Sequence, residues 1–316
     1  MNVEYMTCLL ATAVLSAAWL ALRLKKQGMK PISGIVGMVF AIGLGAVMAK
    51  LFYVTLLIER VWPRFGWEAF IRVRASEFSF LGGGVGVVVG MLLAAKATRQ
   101  DWKRYLDAFA PCGALMAAGA RFAERWQGML GVGSLIKNDS LCFFPFGVSN
   151  QWGEWFFAVF MLETLAALLI ALIFALRKPE VKIPGLHVQR VAFYLCLTQV
   201  LCESLRAQGM RWGFVRVEQV LSGVALIAFL LNHCLRVRER NAWKRFWPIV
   251  GAALCIASLV GVEFALDKTD MSPFLWYGVM IGVLTLLGAM ERFCVRRRRK
   301  QATVKLKVYK NPSLAA

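Results

Sequence analysis

The chain has 316 residues, 59% of them apolar and 18% charged, with a mean hydropathy of +0.60. A water-soluble fold of this length has no interior large enough to bury so much apolar surface, so that class is excluded. Thirty-eight Lys and Arg against eighteen Asp and Glu give a formal charge of +20, which would indicate nucleic acid in a soluble chain and here requires another source.

About 20 apolar residues cross a bilayer as a helix. Nine mostly apolar stretches approach that length: 5–22, 32–58, 78–95, 106–120, 155–176, 191–205, 218–235, 246–266 and 272–290. Glu4 precedes the first and its Arg and Lys follow it, the reverse of a secretory signal, so it is expected to be a retained helix. Small residues recur every four positions in the next three: Gly37, Ala41, Gly45 and Ala49; Gly82, Gly86 and Gly90; Gly113 and Ala117. Such stripes let helices approach closely in lipid, so spans two, three and four are expected to touch. The Gly82-Gly83-Gly84 run lacks the Lys-Ser/Thr of a phosphate loop and sits in a span, which favours packing.

Glu163 lies in span five, Glu263 in span eight and Lys50 in span two, with Lys50 a possible ion-pair partner for either acid. An ion path through them would define a transporter, but no inverted repeat accompanies it. Spans eight and nine are separated by Asp267-Lys268-Thr269-Asp270 and are expected to form a hairpin. That hairpin either adds packing or covers a lateral opening or partner surface. The expected fold is thus an all-α polytopic transmembrane bundle of about nine spans. Residues 1–245 are its core, 246–290 the added hairpin and 291–316 a basic tail.

The stretches after odd-numbered spans hold 26 basic residues against five acids in or beside them, whereas the opposite side has 11 of each. This is the positive-inside pattern, with the N-terminus outside and the C-terminus cytoplasmic. The basic excess is therefore topology, with no nucleic acid partner implied. Arg296-Arg297-Arg298-Arg299-Lys300 is expected to anchor the last span, with contact to anionic lipid as an alternative. Eight cysteines show no paired short spacing and only two histidines exist, His187 and His233, both on the cytoplasmic side. Neither a metal site nor any cofactor is expected.

Charges at the outer ends of spans are the chemical candidates. Arg121, Glu124, Arg125 and Gln127 follow span four; Glu154 opens span five; Gln199, Glu203 and Arg206 share one helical face; Arg211, Arg216, Glu218 and Gln219 come next. Arginine forms forked bonds to phosphate, so converging guanidiniums would take an anionic phospholipid headgroup. Equally, Arg121 or Arg125 with Glu124, and Arg206 with Glu203, would simply pair locally.

Several segments resemble a known family. Phe78-Ser79-Phe80-Leu81-Gly82-Gly83 is similar to the Ser-Phe-His-Gly-Gly segment of bacterial prolipoprotein diacylglyceryl transferases. Asp107-Ala108-Phe109-Ala110-Pro111, then Gly119-Ala120-Arg121-Phe122 and Gly128, resemble its Asp-Phe-Ile-Ala-Pro and Gly-Arg-x-Gly-Asn-x-x-Asn-Gly-Glu. Asn150-Gln151-Trp152-Gly153-Glu154 is similar to Ser-Gln-Leu-Tyr-Glu, Glu203-Ser204-Leu205-Arg206 to the end of Arg-x-x-x-Glu-x-x-Arg, and Gln219-Val220-Leu221-Ser222 to Gly-Gln-Ile-Leu-Ser. The matches are collinear over roughly 32–236.

The resemblance implies a multi-pass protein of the bacterial inner membrane acting on two substrates at the lipid bilayer, phosphatidylglycerol and a lipobox-containing prolipoprotein. Diacylglyceryl would move to the lipobox cysteine thiol, releasing glycerol phosphate. By position, Arg121 and Arg206 would hold phosphate, Glu203 would orient them, Glu154 would line the site, and Glu124 or Glu154 would accept the proton. Gly82, Gly83, Gln151, Gln199, Gln219 and Arg125 are the expected substrate contacts. Departures are definite: Leu81 replaces His, Ala123 and Glu124 replace Gly-Asn, Gln127 replaces Asn, Met129 replaces Glu, Gly153 replaces Tyr, and Gln199 replaces the first Arg. They leave a second expectation, a scaffold that binds anionic phospholipid or lipopeptide without transfer.

Overall fold

The computed structural model describes residues 2–177, 179, 183–212, 215–237, 241–268 and 272–310. Eleven α-helices follow in order: α1 Val3–Lys26, α2 Ile32–Leu56, α3 Ile58–Phe65, α4 Glu68–Ile71, α5 Phe80–Ala97, α6 Trp102–Ala123, α7 Val159–Leu176, α8 Leu186–Leu205, α9 Val217–Arg236, α10 Ala242–Lys268 and α11 Pro273–Lys310. Two small antiparallel hairpins interrupt them: β1 Gly147–Ser149 with β2 Trp155–Phe157, and β3 Arg211–Trp212 with β4 Val215–Arg216. The protein is an all-helical polytopic bundle, and each of the nine expected spans corresponds to a long helix.

Seven of these, α1, α2, α5, α7, α9, α10 and α11, contain stretches long and apolar enough to cross a membrane by themselves. The two that fall short are α6 and α8, which carry Asp107, Arg121, His187, Arg190, Gln199 and Glu203 among their buried residues. A helix enclosed by other helices touches little lipid, so its composition is free to be polar where partners exist.

Residues of 1–179 and 185–220 form one compact unit, and those from 221 onward belong chiefly to a second. In the first unit α2 and α5 lie close together along the predicted stripes. A Cβ on Gly82 would stand 2.6 Å from Phe52 Cβ, one on Gly90 would stand 2.6 Å from the Phe40 carbonyl, and one on Gly86 would run into the Leu44 carbonyl. The stripe on α6 works differently: a Cβ on Gly113 would stand 2.8 Å from the Phe109 ring of its own helix, and α6 packs chiefly against α1 and α7, with Gly119, off the stripe, facing Thr12 of α1. One end of this unit is tied by Asp107, whose carboxylate accepts the Gly185 amide at 2.7 Å and the Val188 amide at 2.9 Å, capping α8. Tyr105 donates to the Ser33 carbonyl at 2.6 Å at the same end.

In the second unit α10 and α11 pack as the expected hairpin, with Trp247 and Phe293 5.7 Å apart between ring centroids. Thr269 and Asp270 of its connecting loop lie outside the described residues. Arg245 donates to the Cys234 and Leu235 carbonyls, closing the C-terminus of α9. The basic run expected in a separate tail is instead a continuation of α11, whose 38 residues span about 57 Å.

Three boundaries differ from expectation. Span five begins as a strand, because Trp155–Phe157 pairs with Gly147–Ser149 before helix starts at Val159. Span two stops at Leu56, and residues 58–71 turn into α3 and α4. Span three starts two residues late because Ser79 caps it, its hydroxyl accepting from the Gly82 amide at 3.0 Å.

Candidate functional site

Helix polarity brings five termini to the same end of the first unit: the C-terminal ends of α6 and α8 and the N-terminal ends of α5, α7 and α9. Their buried polar side chains meet there. Arg121 Nη1 donates to Glu124 Oε1 at 2.6 Å and its Nη2 to Gln199 Oε1 at 2.8 Å, while its Nε lies 3.2 Å from Glu163 Oε2. Arg206 Nη2 donates to Glu124 Oε2 at 2.7 Å and also to Glu163, and its Nε donates to Glu163 Oε1 at 3.2 Å. Gln199 Nε2 donates to Glu203 Oε2 at 3.1 Å, and Arg206 Nε stands 3.9 Å from the same oxygen. The two guanidiniums, from different helices, thus share two carboxylates.

All five charged side chains are between 3% and 7% exposed, which decides the energetics. Buried ions persist only when closely paired, since removing one partner strands the other at a cost of about 3–5 kcal/mol. Beyond the end of α6, burial would raise the Glu124 carboxyl, but Arg206 and Arg121 outweigh it and hold it below the usual carboxylate range. Burial alone would lower the Arg206 guanidinium, but Glu124 and Glu163 keep it well above its ordinary value. Three carboxylates face two guanidiniums, so the cluster does not balance without a proton or a further cation.

Neighbouring loops shape the cluster. Gly131 adopts φ +75°, and a Cβ there would run into the Glu124 carboxylate, so only glycine permits this approach. On the opposite flank the Arg121 guanidinium lies over the Phe80 ring, 3.7 Å from its centroid. Glu218 receives the Ser79 hydroxyl at 2.6 Å and the Leu81 amide at 3.2 Å. Gln127 Nε2 is buried and meets no acceptor among the described residues.

Of the candidates read from sequence, Arg121, Glu124, Gln199, Glu203 and Arg206 come together. Gln219 lies nearby, donating to the Val200 carbonyl at 3.4 Å. Gly82 and Gly83 face α2 rather than the cluster, Gly83 standing 3.5 Å from the Ala49 methyl by its would-be Cβ. Gln151 and Glu154 are exposed at the β1–β2 turn, where Glu154 accepts from Asn150 at 2.7 Å. Arg125 is exposed too, its guanidinium 4.2 Å from the Phe144 ring centroid. Arg216 reaches inward, donating to the Arg206 carbonyl at 2.6 Å.

Lys50 pairs with Glu77 at 2.9 Å, not with Glu163 or Glu263 as its place in span two suggests. Glu163 instead belongs to the arginine cluster, and the sequence signal for it was a lone acid in an otherwise apolar span. His187 contacts the Phe174 carbonyl at 3.0 Å, and His233 Nδ1 contacts Arg298 at 3.2 Å.

Fold and cluster together define a polytopic membrane protein that gathers arginines and carboxylates at one end of its helices. The prolipoprotein diacylglyceryl transferase family matches residues 1–234, so the chain belongs to that family. It is 24% identical over 251 residues to the phosphatidylglycerol–prolipoprotein diacylglyceryl transferase of Bacillus cytotoxicus, covering 75% of this chain and 89% of that protein. It is 21% identical over 213 residues to the enzyme of the same name from Clostridium novyi, covering 66% and 81%. The family match begins at residue 1 and so takes in α1, which the motif resemblance did not reach; α10 and α11 lie beyond it. The chain is a multi-pass protein of the bacterial cell membrane, of the transferase family that serves lipoprotein biosynthesis.

Proposed function

We propose that the protein transfers diacylglyceryl from phosphatidylglycerol to the lipobox cysteine thiol of a prolipoprotein on the outer side of the membrane. The observation that carries this reading is the meeting of Arg121 and Arg206 on shared carboxylates: two forked cations from separate helices, buried in a position to hold one phosphate. The thiol sulfur forms a bond to the glyceryl carbon as the carbon–oxygen bond to phosphate breaks, and the proton lost from the thiol ends on the released glycerol phosphate. The electron pair stays on the phosphate oxygen, where prearranged guanidiniums stabilise it. Glu124, Glu163 and Glu203 hold the two arginines in place through ion pairs, and Gln199 links Arg121 to Glu203.

Incubating the purified protein with phosphatidylglycerol and a lipobox peptide tests this. A diacylglyceryl mass increase on the cysteine is expected, with Arg121→Ala reducing the rate by about 10²-fold or more. One observation favours a second reading, a lipid or lipopeptide binder: position 81 is leucine where the family segment has histidine. Retained phosphatidylglycerol binding with no product for any precursor supports that reading instead.

A further inference from the structure

Gln199 and Glu203 stand one turn apart on α8, and both are buried. The Gln199 amide bridges the cluster: its Oε1 accepts from Arg121 Nη2 at 2.8 Å, and its Nε2 donates to Glu203 Oε2 at 3.1 Å. In the Arg-x-x-x-Glu-x-x-Arg run that this segment resembles, the residue in the place of Gln199 is a cation. Glu203 is therefore met at close range by a neutral amide where the resembling run has a guanidinium.

The three carboxylates of the cluster differ in how closely they are paired. Glu124 lies 2.6 Å from Arg121 and 2.7 Å from Arg206, and Glu163 lies 3.2 Å from Arg121 Nε. Glu203 has one guanidinium within 4.0 Å among the described residues, that of Arg206, whose Nε is 3.9 Å away. Its other oxygen, Oε1, turns to the loop after α8: a Cβ on the exposed Gly209 would stand 2.6 Å from it. Met129 in place of Glu and Glu124 in place of Asn together only move an acid, whereas the exchange at 199 removes a cation. A buried carboxylate short of positive charge is stabilised by a ligand that brings one.

We infer that Gln199 and Glu203 set the headgroup specificity of the site and form a seat for an ammonium, so that phosphatidylethanolamine serves as a diacylglyceryl donor beside phosphatidylglycerol. Ethanolamine carries its ammonium two carbons beyond the phosphate ester oxygen. With the phosphate on Arg121 and Arg206, the ammonium meets Glu203, which stands 3.9 Å from one of those guanidiniums. An arginine at 199 would pair with Glu203 itself and repel the ammonium. The bonds made and broken are those of the proposed transfer. The thiol sulfur bonds to the glyceryl carbon, the carbon–oxygen bond to phosphate breaks with its electron pair on oxygen, and the thiol proton leaves with the released phosphoethanolamine. This assignment rests on the transferase reading and widens its donor.

The test gives the purified full-length protein a lipobox peptide and detergent micelles containing either phosphatidylglycerol or phosphatidylethanolamine. Both the mass gained by the cysteine and the headgroup phosphate released are measured, so that carried-over lipid is recognised by its product. The wild-type protein is expected to release phosphoethanolamine at a rate within about tenfold of its glycerol phosphate rate. Gln199→Arg is expected to lower the ratio of the ethanolamine to the glycerol rate by about tenfold or more. Glu203→Gln removes the acid and keeps the size; it is expected to lower the same ratio, and it reads the seat should the arginine variant not fold. A purely structural role for either residue changes both rates alike. Wild-type transfer from phosphatidylglycerol alone, or variants with an unchanged ratio, overturns the seat and leaves the transferase reading standing. Transfer from neither lipid removes that reading and this inference with it.

Discussion

Arg206 donates through Nε to Oε1 of Glu163 at 3.2 Å, joining the end of α8 to the first turns of α7. Both side chains are nearly excluded from solvent, so neither charge is tolerable alone. Glu163→Ala is accordingly expected to destabilise the protein by about 3–5 kcal/mol, and Arg206→Ala by a similar amount. The double variant Arg206→Met with Glu163→Met should recover much of that loss while remaining inactive. Thermal unfolding in detergent, set beside transfer assays, separates the two effects.

Arg121 is forked between Glu124 and Gln199 and stacked on Phe80, three contacts that a single ammonium cannot reproduce. Arg121→Lys keeps the charge and is expected to lose about 10²-fold in transfer rate. A lysine variant with wild-type rate would show that charge alone suffices.

Glu124 provides the pH dependence. Its folded-state carboxyl is held below the ordinary value by Arg206 and Arg121 against the effect of burial. A depressed carboxyl contributes stability that is complete above about pH 4.3, its unperturbed value, and lost as pH falls through the lower folded value. Melting temperature should therefore show an acid limb beginning near pH 4. Glu124→Gln should lower stability at neutral pH and shrink the acid limb.

The glycines of α5 separate by face. Gly86 meets the Leu44 backbone, whereas Gly84 has no atom within 4 Å of a would-be Cβ. Gly86→Leu is expected to cost about 1–3 kcal/mol or prevent folding. Gly84→Ala is expected to be neutral or stabilising by up to about 1 kcal/mol. Expression and melting temperature of the two variants, compared directly, check the assignment of the packing face.

Nine helices were legible because lipid imposes one simple requirement, a long apolar run, and because small residues every four positions mark close helix contact. The strand at 155–157 was hidden because Trp-Phe-Phe is as apolar as the helix that follows it. Hydropathy places Lys50 in depth but not around the bundle, so its acid, Glu77, in the segment between α4 and α5, is not legible from the spans. Gln199, Glu203 and Arg206 were readable as one face because helical spacing fixes it. Their meeting with Arg121 across helices, and the entry of Glu163, are long-range facts that spacing does not encode. Glu154 and Gln151 resembled family positions in sequence, yet a short hairpin carries them to the surface.

The arginines already have counter-ions before any lipid arrives. On the proposed reading, a phosphate approaching them would never strip a bare cation in hydrocarbon; it would trade places with a glutamate, which would then be free to pick up a proton. Headgroup capture would be an exchange of anions within a fixed cage, with specificity set by how well the newcomer replaces the carboxylate it dislodges.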